Sequence, residues 1–113
     1  MQDLVVRAAA VREPAADFIS RVLAVVDSIP VGRVMSYGDV AATIGSRAAR
    51  AVGTVMAHYG SDSPWWRVVR ASGYPPINHE ARALQRYRAE GTPLRWSQGG
   101  VYRVDLAAAR HTP

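Results

Sequence analysis

The chain of 113 residues contains no cysteine. A disulfide framework, a thiolate metal site and a cysteine nucleophile are therefore all excluded. Lysine is absent as well, so all 14 basic residues are arginine, set against 9 acidic ones for a formal charge of +5. Without lysine there is no side-chain amine to form a Schiff base, and every basic side chain counted carries a planar fork suited to phosphates and able to stack on a base. Long apolar runs are missing too. The N-terminal Leu4-Val5-Val6 is broken by Arg7, which excludes a secretory signal and a membrane span and gives the cytoplasm as the expected location, on the nucleoid in a bacterial cell. His58, His79 and His111 have no metal-ligand spacing, so neither a metal nor a cofactor is expected.

What is present describes one folded domain. Hydrophobic residues make up 49% of the chain, no repeat or low-complexity tract interrupts it, and the length suits a single modest core. A single domain over residues 1–113, expected to act as a monomer, is the economical reading. A small, basic, arginine-only protein has a polyanion as its natural charged partner, although genomic codon bias explains the missing lysine equally well.

Phe18, Val22, Val25, Val26 and Ile29 recur at helical spacing and predict a core helix that Pro14 opens and Pro30 closes. Ser36 caps a second helix, with Asp39 in a capping-box position and Val40, Ala41 and Ile44 turned inward. After the Gly45-Ser46 break, a third helix is predicted from about Arg47 to His58. The pair reads as a helix-turn-helix. Ala51 and Gly53 suit close helix packing as well as any function, whereas Ala48 and Ala49, beside the turn, are candidates for DNA contact. Trp66 to Val69 is expected to be a short buried strand, and Glu80 to Glu90 a basic helix ended by Gly91-Thr92-Pro93. Leu94 to Trp96 and Val101 to Val104 form the arms of a hairpin around Gln98-Gly99-Gly100. The expected fold is mainly α with a small β component, a winged helix-turn-helix.

One hexapeptide is more specific than these patterns. Pro64-Trp65-Trp66-Arg67-Val68-Val69 resembles the Pro-Cys-His-Arg-Val motif of O6-alkylguanine-DNA alkyltransferases, with Trp65 at the cysteine and Trp66 at the histidine position. Ile29-Pro30-Val31-Gly32-Arg33-Val34, Ser36-Tyr37-Gly38-Asp39-Val40-Ala41 and Ala48-Ala49-Arg50-Ala51-Val52-Gly53 fall in the order of that family's DNA-binding domain. The resemblance covers roughly residues 15 to 73. With the cysteine replaced by tryptophan, the chain resembles alkyltransferase-like proteins, which bind alkylated DNA without repairing it.

The resemblance implies a non-enzymatic partner of double-stranded DNA containing O6-alkylguanine, one that enters through the minor groove, flips the nucleotide and signals to nucleotide excision repair proteins. It implies DNA contacts by Tyr37, Ala48, Ala49 and Arg50, the arginine filling the vacated stack and Tyr37 turning the 3' phosphate. A lesion pocket of Tyr37, Trp65, Trp66, Val68 and Gly73 is expected, with Tyr74 and Arg82 as further candidates. Two segments depart from the pattern: Gly45 to Arg50 is one residue shorter than in many relatives, and the lip from Gly73 to Asn78 is shortened. A helix-turn-helix transcription regulator is the alternative, yet such a protein reads bases with Asn or Gln where this helix offers alanines. An alkyl transferase lacks its thiolate, and a glycosylase would have only Asp62 as an acid near the motif.

Overall fold

The computed structural model describes residues 15–113. Asp3, the Leu4–Val6 run and Pro14 lie outside the described residues. The first described helix, α1, is Ala16–Asp27 and buries Val22 and Val26, the inward positions of the apolar stripe. Strand β1, Met35–Ser36, leads directly into α2, Tyr37–Thr43. The capping box is present in full: Asp39 N donates to Ser36 Oγ and Ser36 N donates to Asp39 Oδ2, each at 3.0 Å.

A Schellman motif ends α2, with Gly45 at φ +73, its own N donating back to Ala42 O and the following Ser46 N to Ala41 O. Only the left-handed conformation makes this pair of bonds, which is why glycine stands at the turn. Helix α3 then spans Ala49–Tyr59 and buries Val52, Val55 and Met56. It starts two residues later than the sequence suggests, because Arg47 and Ala48 belong to the turn, where Ser46 Oγ accepts from Ala48 N at 3.0 Å. Residues Trp65–Arg67 form one 3-10 turn and β2 is Val68–Val69, so the expected strand occupies only the second half of its predicted span. Helix α4, Glu80–Glu90, closes on Gly91 in the left-handed conformation. The hairpin of β3, Leu94–Trp96, and β4, Tyr102–Val104, is antiparallel, and a short α5, Leu106–Ala109, follows.

Two apolar clusters meet at the tryptophan motif. The first joins α1, α2 and α3 through Val22, Val26, Val40, Val52 and Val55; the second joins α4 to the hairpin through Ala83, Tyr87, Tyr102 and Val104. Trp65 packs against both. Between them, β1 and β2 pair in parallel, Met35 opposite Val68 and Ser36 opposite Val69. This two-residue ladder fixes the start of the helix-turn-helix against the tryptophan motif, although the two segments are more than 30 residues apart in sequence. No described helix is long and apolar enough to cross a membrane.

Candidate nucleic-acid interface

The inward face of α3 is filled by valines, so the opposite face is left to solvent. Ala49, Arg50, Gly53, Thr54, Ala57 and His58 line a shallow groove there together with Tyr37, with a volume of about 580 Å3. Arg50 is exposed, and its guanidinium enters no ion pair among the described residues. The N-terminus of α3 has no side-chain cap; Ala49 N donates to Arg47 O at 3.1 Å, and the N–H groups of Arg50 and Ala51, at the positive end of the dipole, face an anion such as a phosphate. Ala48 is exposed beside it.

Next to this groove lies a cavity of about 520 Å3. Tyr37, Gly53 and Ala57 line both, so the groove and the cavity adjoin along them. A Cβ built on Gly53 would meet nothing within 4 Å; glycine here is not demanded by helix packing but leaves that border bare. Trp65 forms the aromatic wall. Its ring lies 5.5 Å from that of His79 and 5.3 Å from the Arg82 guanidinium, and Arg70, Pro76 and Ile77 complete the far side. Burial pushes the Tyr37 phenol above its usual pKa, partly opposed by Arg70. It therefore stays protonated and keeps an O–H to donate.

Trp66, Val68 and Gly73, expected in the pocket, do not line it. Val68 is fully buried because its place in the β1–β2 ladder turns it into the first cluster. Gly73 is held at φ +95 with its ideal Cβ position 2.3 Å from Val104 O, so it serves as the close crossing between the β2 turn and the hairpin. Trp66 faces the second cluster. Its Nε1 donates to Glu90 Oε2 at 2.8 Å, and the guanidiniums of Arg86 and Arg67 lie 4.4 and 5.4 Å from its ring. Tyr74 is also outside the cavity, its ring 5.4 Å from the Arg70 guanidinium, whereas Arg82 does line it.

Glu90 anchors this arrangement. Besides Trp66 it accepts from Arg67 Nε at 3.1 Å, Arg67 Nη2 at 2.7 Å and Gly32 N at 3.0 Å, while Arg67 Nη1 donates to Ile29 O at 3.0 Å. Burial raises the Glu90 pKa, but the hydrogen bonds from Arg67, Gly32 and Trp66 outweigh it and hold the carboxyl below its ordinary value. The indole N–H is a donor only, so Trp66 can neither take nor pass on a proton.

The description "6-O-methylguanine DNA methyltransferase, DNA binding domain" matches residues 17–91. The chain is 46% identical over 100 residues to the "DNA base-flipping protein" of Escherichia coli (strain K12), covering 82% of this chain and 73% of that protein. It is 31% identical over 97 residues to "Alkyltransferase-like protein 1" of Schizosaccharomyces pombe, covering 80% of this chain and 90% of the relative. The chain belongs to the alkyltransferase-like family. A solved structure of S. pombe Atl1 in complex with damaged DNA containing O6-carboxymethylguanine superposes on this alkyltransferase-like fold with a TM-score of 0.77 at 29% identity, covering 88% of this chain and 98% of the other.

The sequence points to Arg82 but not to Met56, Arg70, Pro76, Ile77 and His79, which also line the alkyltransferase-like cavity. Arg70 stands two positions after Val68 and could have been found from the motif. His79 was weighed only as a metal ligand, and nothing local to it announces contact with a tryptophan 14 residues earlier. Among the described residues no group of three His, Asp or Glu side chains could hold a metal ion.

Proposed function

We propose that this protein recognises O6-alkylguanine in double-stranded DNA by flipping the nucleotide into the Trp65 cavity, and that it does so without chemistry on the lesion. The observation that carries this reading is the shared wall: Tyr37, Gly53 and Ala57 border both the groove outside α3 and the cavity behind it. A base extruded from a duplex lying along α3 would pass them to reach the indole of Trp65. Extrusion costs a few kcal/mol, less for a badly paired damaged base. Stacking on an aromatic ring returns roughly 1 to 3 kcal/mol per base.

Arg50, exposed on the groove side, enters the duplex and fills the vacated stack, and Tyr37, at the passage, donates its hydroxyl to the 3' phosphate. The alanines beside Arg50 and the bare Gly53 suit the minor groove, where close backbone approach matters more than base-reading side chains. Retention rather than repair follows from the residues present: the chain has no thiol, and Trp66 donates to Glu90 where a proton acceptor would be required. The flipped complex, formed by a monomer, is the signal handed to nucleotide excision repair proteins; the family resemblance supports that step.

A duplex with one O6-methylguanine and a fluorescent base analogue beside it tests the reading against the same duplex with guanine. Wild-type protein should bind the lesion more tightly and raise the analogue's fluorescence, and Arg50→Ala and Tyr37→Ala should each weaken binding and lower the signal. Equal affinity for both duplexes would instead support a transcription regulator. Loss of the methyl group from recovered DNA, detected by mass, would overturn the non-enzymatic assignment.

A further inference from the structure

The cavity wall opposite α3 is cationic, and among the described residues no acid lines it. Arg70 and Arg82 both line it beside Trp65 and His79. Neither arginine is among the ion pairs of the described residues, which engage Arg67, Arg95 and Arg110 instead. Arg70 uses its Nε on Pro75 O at 3.0 Å, leaving the two terminal nitrogens of the fork uncommitted. Arg82 is exposed at the rim, with its guanidinium 5.3 Å from the Trp65 ring centre. Glu80, the acid adjoining His79, is near enough for the Arg70 charge to help lower its pKa, but its Oε1 accepts from Asn78 N at 2.8 Å and it is not part of the lining.

A neutral methyl or ethyl group on a flipped guanine offers the two guanidiniums at most a ring face to stack on and no counter-charge. Stacking on Trp65 would accommodate it with both charges still unmatched. An acid on the end of the alkyl arm would meet a preformed donor set: charge-assisted bonds from arginine to carboxylate are shorter and about twice as strong as neutral ones. They gain further where the walls exclude water.

We propose that Arg70 and Arg82 make this cavity selective for anionic O6 adducts, carboxyalkyl groups above all, over neutral adducts of the same size. The inference rests on the flipping reading above, and it concerns preference, which the S. pombe complex with O6-carboxymethylguanine does not address. The same two arginines could instead meet a backbone phosphate of the flipped nucleotide. Both roles use oxyanion recognition, but only one depends on the adduct.

Three duplexes differing at one base separate these roles: O6-carboxymethylguanine, its uncharged isostere O6-carbamoylmethylguanine, and guanine. Their dissociation constants are to be measured with wild type, Arg70→Gln and Arg82→Gln, after thermal melts show that each variant is folded. Wild type should bind the acid about tenfold more tightly than the amide, with a steeper loss of affinity on adding salt. Each glutamine variant should bring that ratio towards one, the loss of affinity falling more heavily on the acid duplex than on the amide. A wild-type ratio within twofold of one overturns the proposal. So does a ratio that survives both substitutions, or a uniform loss on all three duplexes, which is the signature of a phosphate contact. Failure of wild type to prefer the amide adduct over guanine would strike the flipping reading itself, a different outcome from failure of the charge preference.

Discussion

Replacing Glu90 by glutamine should cost this domain about 3 kcal/mol at neutral pH, near the lower end for breaking a buried ion pair. The side chains of Arg67 and Glu90 are 14% and 11% exposed, so water takes over the lost contacts only in part. Four N–H groups, from Arg67, Trp66 and Gly32, converge on the two carboxylate oxygens. An amide can accept with one end only; its NH2 end would face donors, and Arg67 would keep a buried charge without a partner. Hydrogen bonds to charged groups contribute roughly 1.5–3 kcal/mol each and are not additive within one network. For a domain of this size the loss corresponds to a fall in Tm of about 15 °C.

Acid adds a second check. Because the folded carboxyl is held below its ordinary pKa, its contribution is complete above the unfolded value of about 4.3 and disappears as pH falls through the folded value. The melting gap between wild type and Glu90→Gln should therefore stay constant from pH 8 to about 6 and narrow below about pH 4. Trp fluorescence reports the same event, since Trp66 loses its indole hydrogen bond. A variant melting within about 3 °C of wild type at pH 7, or a gap unchanged in acid, would refute this account of Glu90.

Three further outcomes follow from the site. Gly73→Ala should destabilise the fold by several kcal/mol, read by urea denaturation, because the residue sits at φ +95 and its Cβ position is 2.3 Å from Val104 O, a main-chain atom that cannot swing aside. Gly53→Leu should do the reverse: helix propensity improves by up to about 1 kcal/mol, so the melt is unchanged or higher, yet lesion affinity drops at least tenfold as the side chain fills the passage between groove and cavity. Trp65→Cys should give no rapid alkyl transfer in a single-turnover assay, since Trp66 Nε1 donates to Glu90 and leaves the thiol near its ordinary pKa of about 8.5; fast stoichiometric transfer would show that the motif still holds a general base.

What could be read from the residues was whatever is local. The capping box at Ser36, the Glu80–Glu90 helix with its terminal glycine, and the hairpin arms each carry their signal within a dozen residues. The strand Met35–Ser36 does not: two residues have no periodicity, and their pairing with Val68–Val69 is set by tertiary packing. The same limit applies to the cavity. Tyr37 and Trp65, which the motif resemblance implies, line the cavity, whereas Trp66 does not, since adjacent residues need not share a face. The 3-10 turn at Trp65–Arg67 separates them, and their rings stand at 90° to one another. Glu90 escaped notice because its four donors come from segments up to 58 residues away.

The β1–β2 ladder has an implication for how such a protein can change its trade. Its bonds run through main-chain atoms, and its inward side chains, Met35 and Val68, belong to the core. Position 65 lies one short turn upstream of that frame, tied to it by its main-chain oxygen, which accepts from Val68 N, while its side chain takes no part in the pairing. The instrument at the tip is thus interchangeable while the handle stays fixed: a thiol, an indole or another ring can be presented at the same point, opposite the same Tyr37, without the frame being redrawn. A lineage that lost its reagent would keep its grip on the substrate. Holding on could then become the occupation.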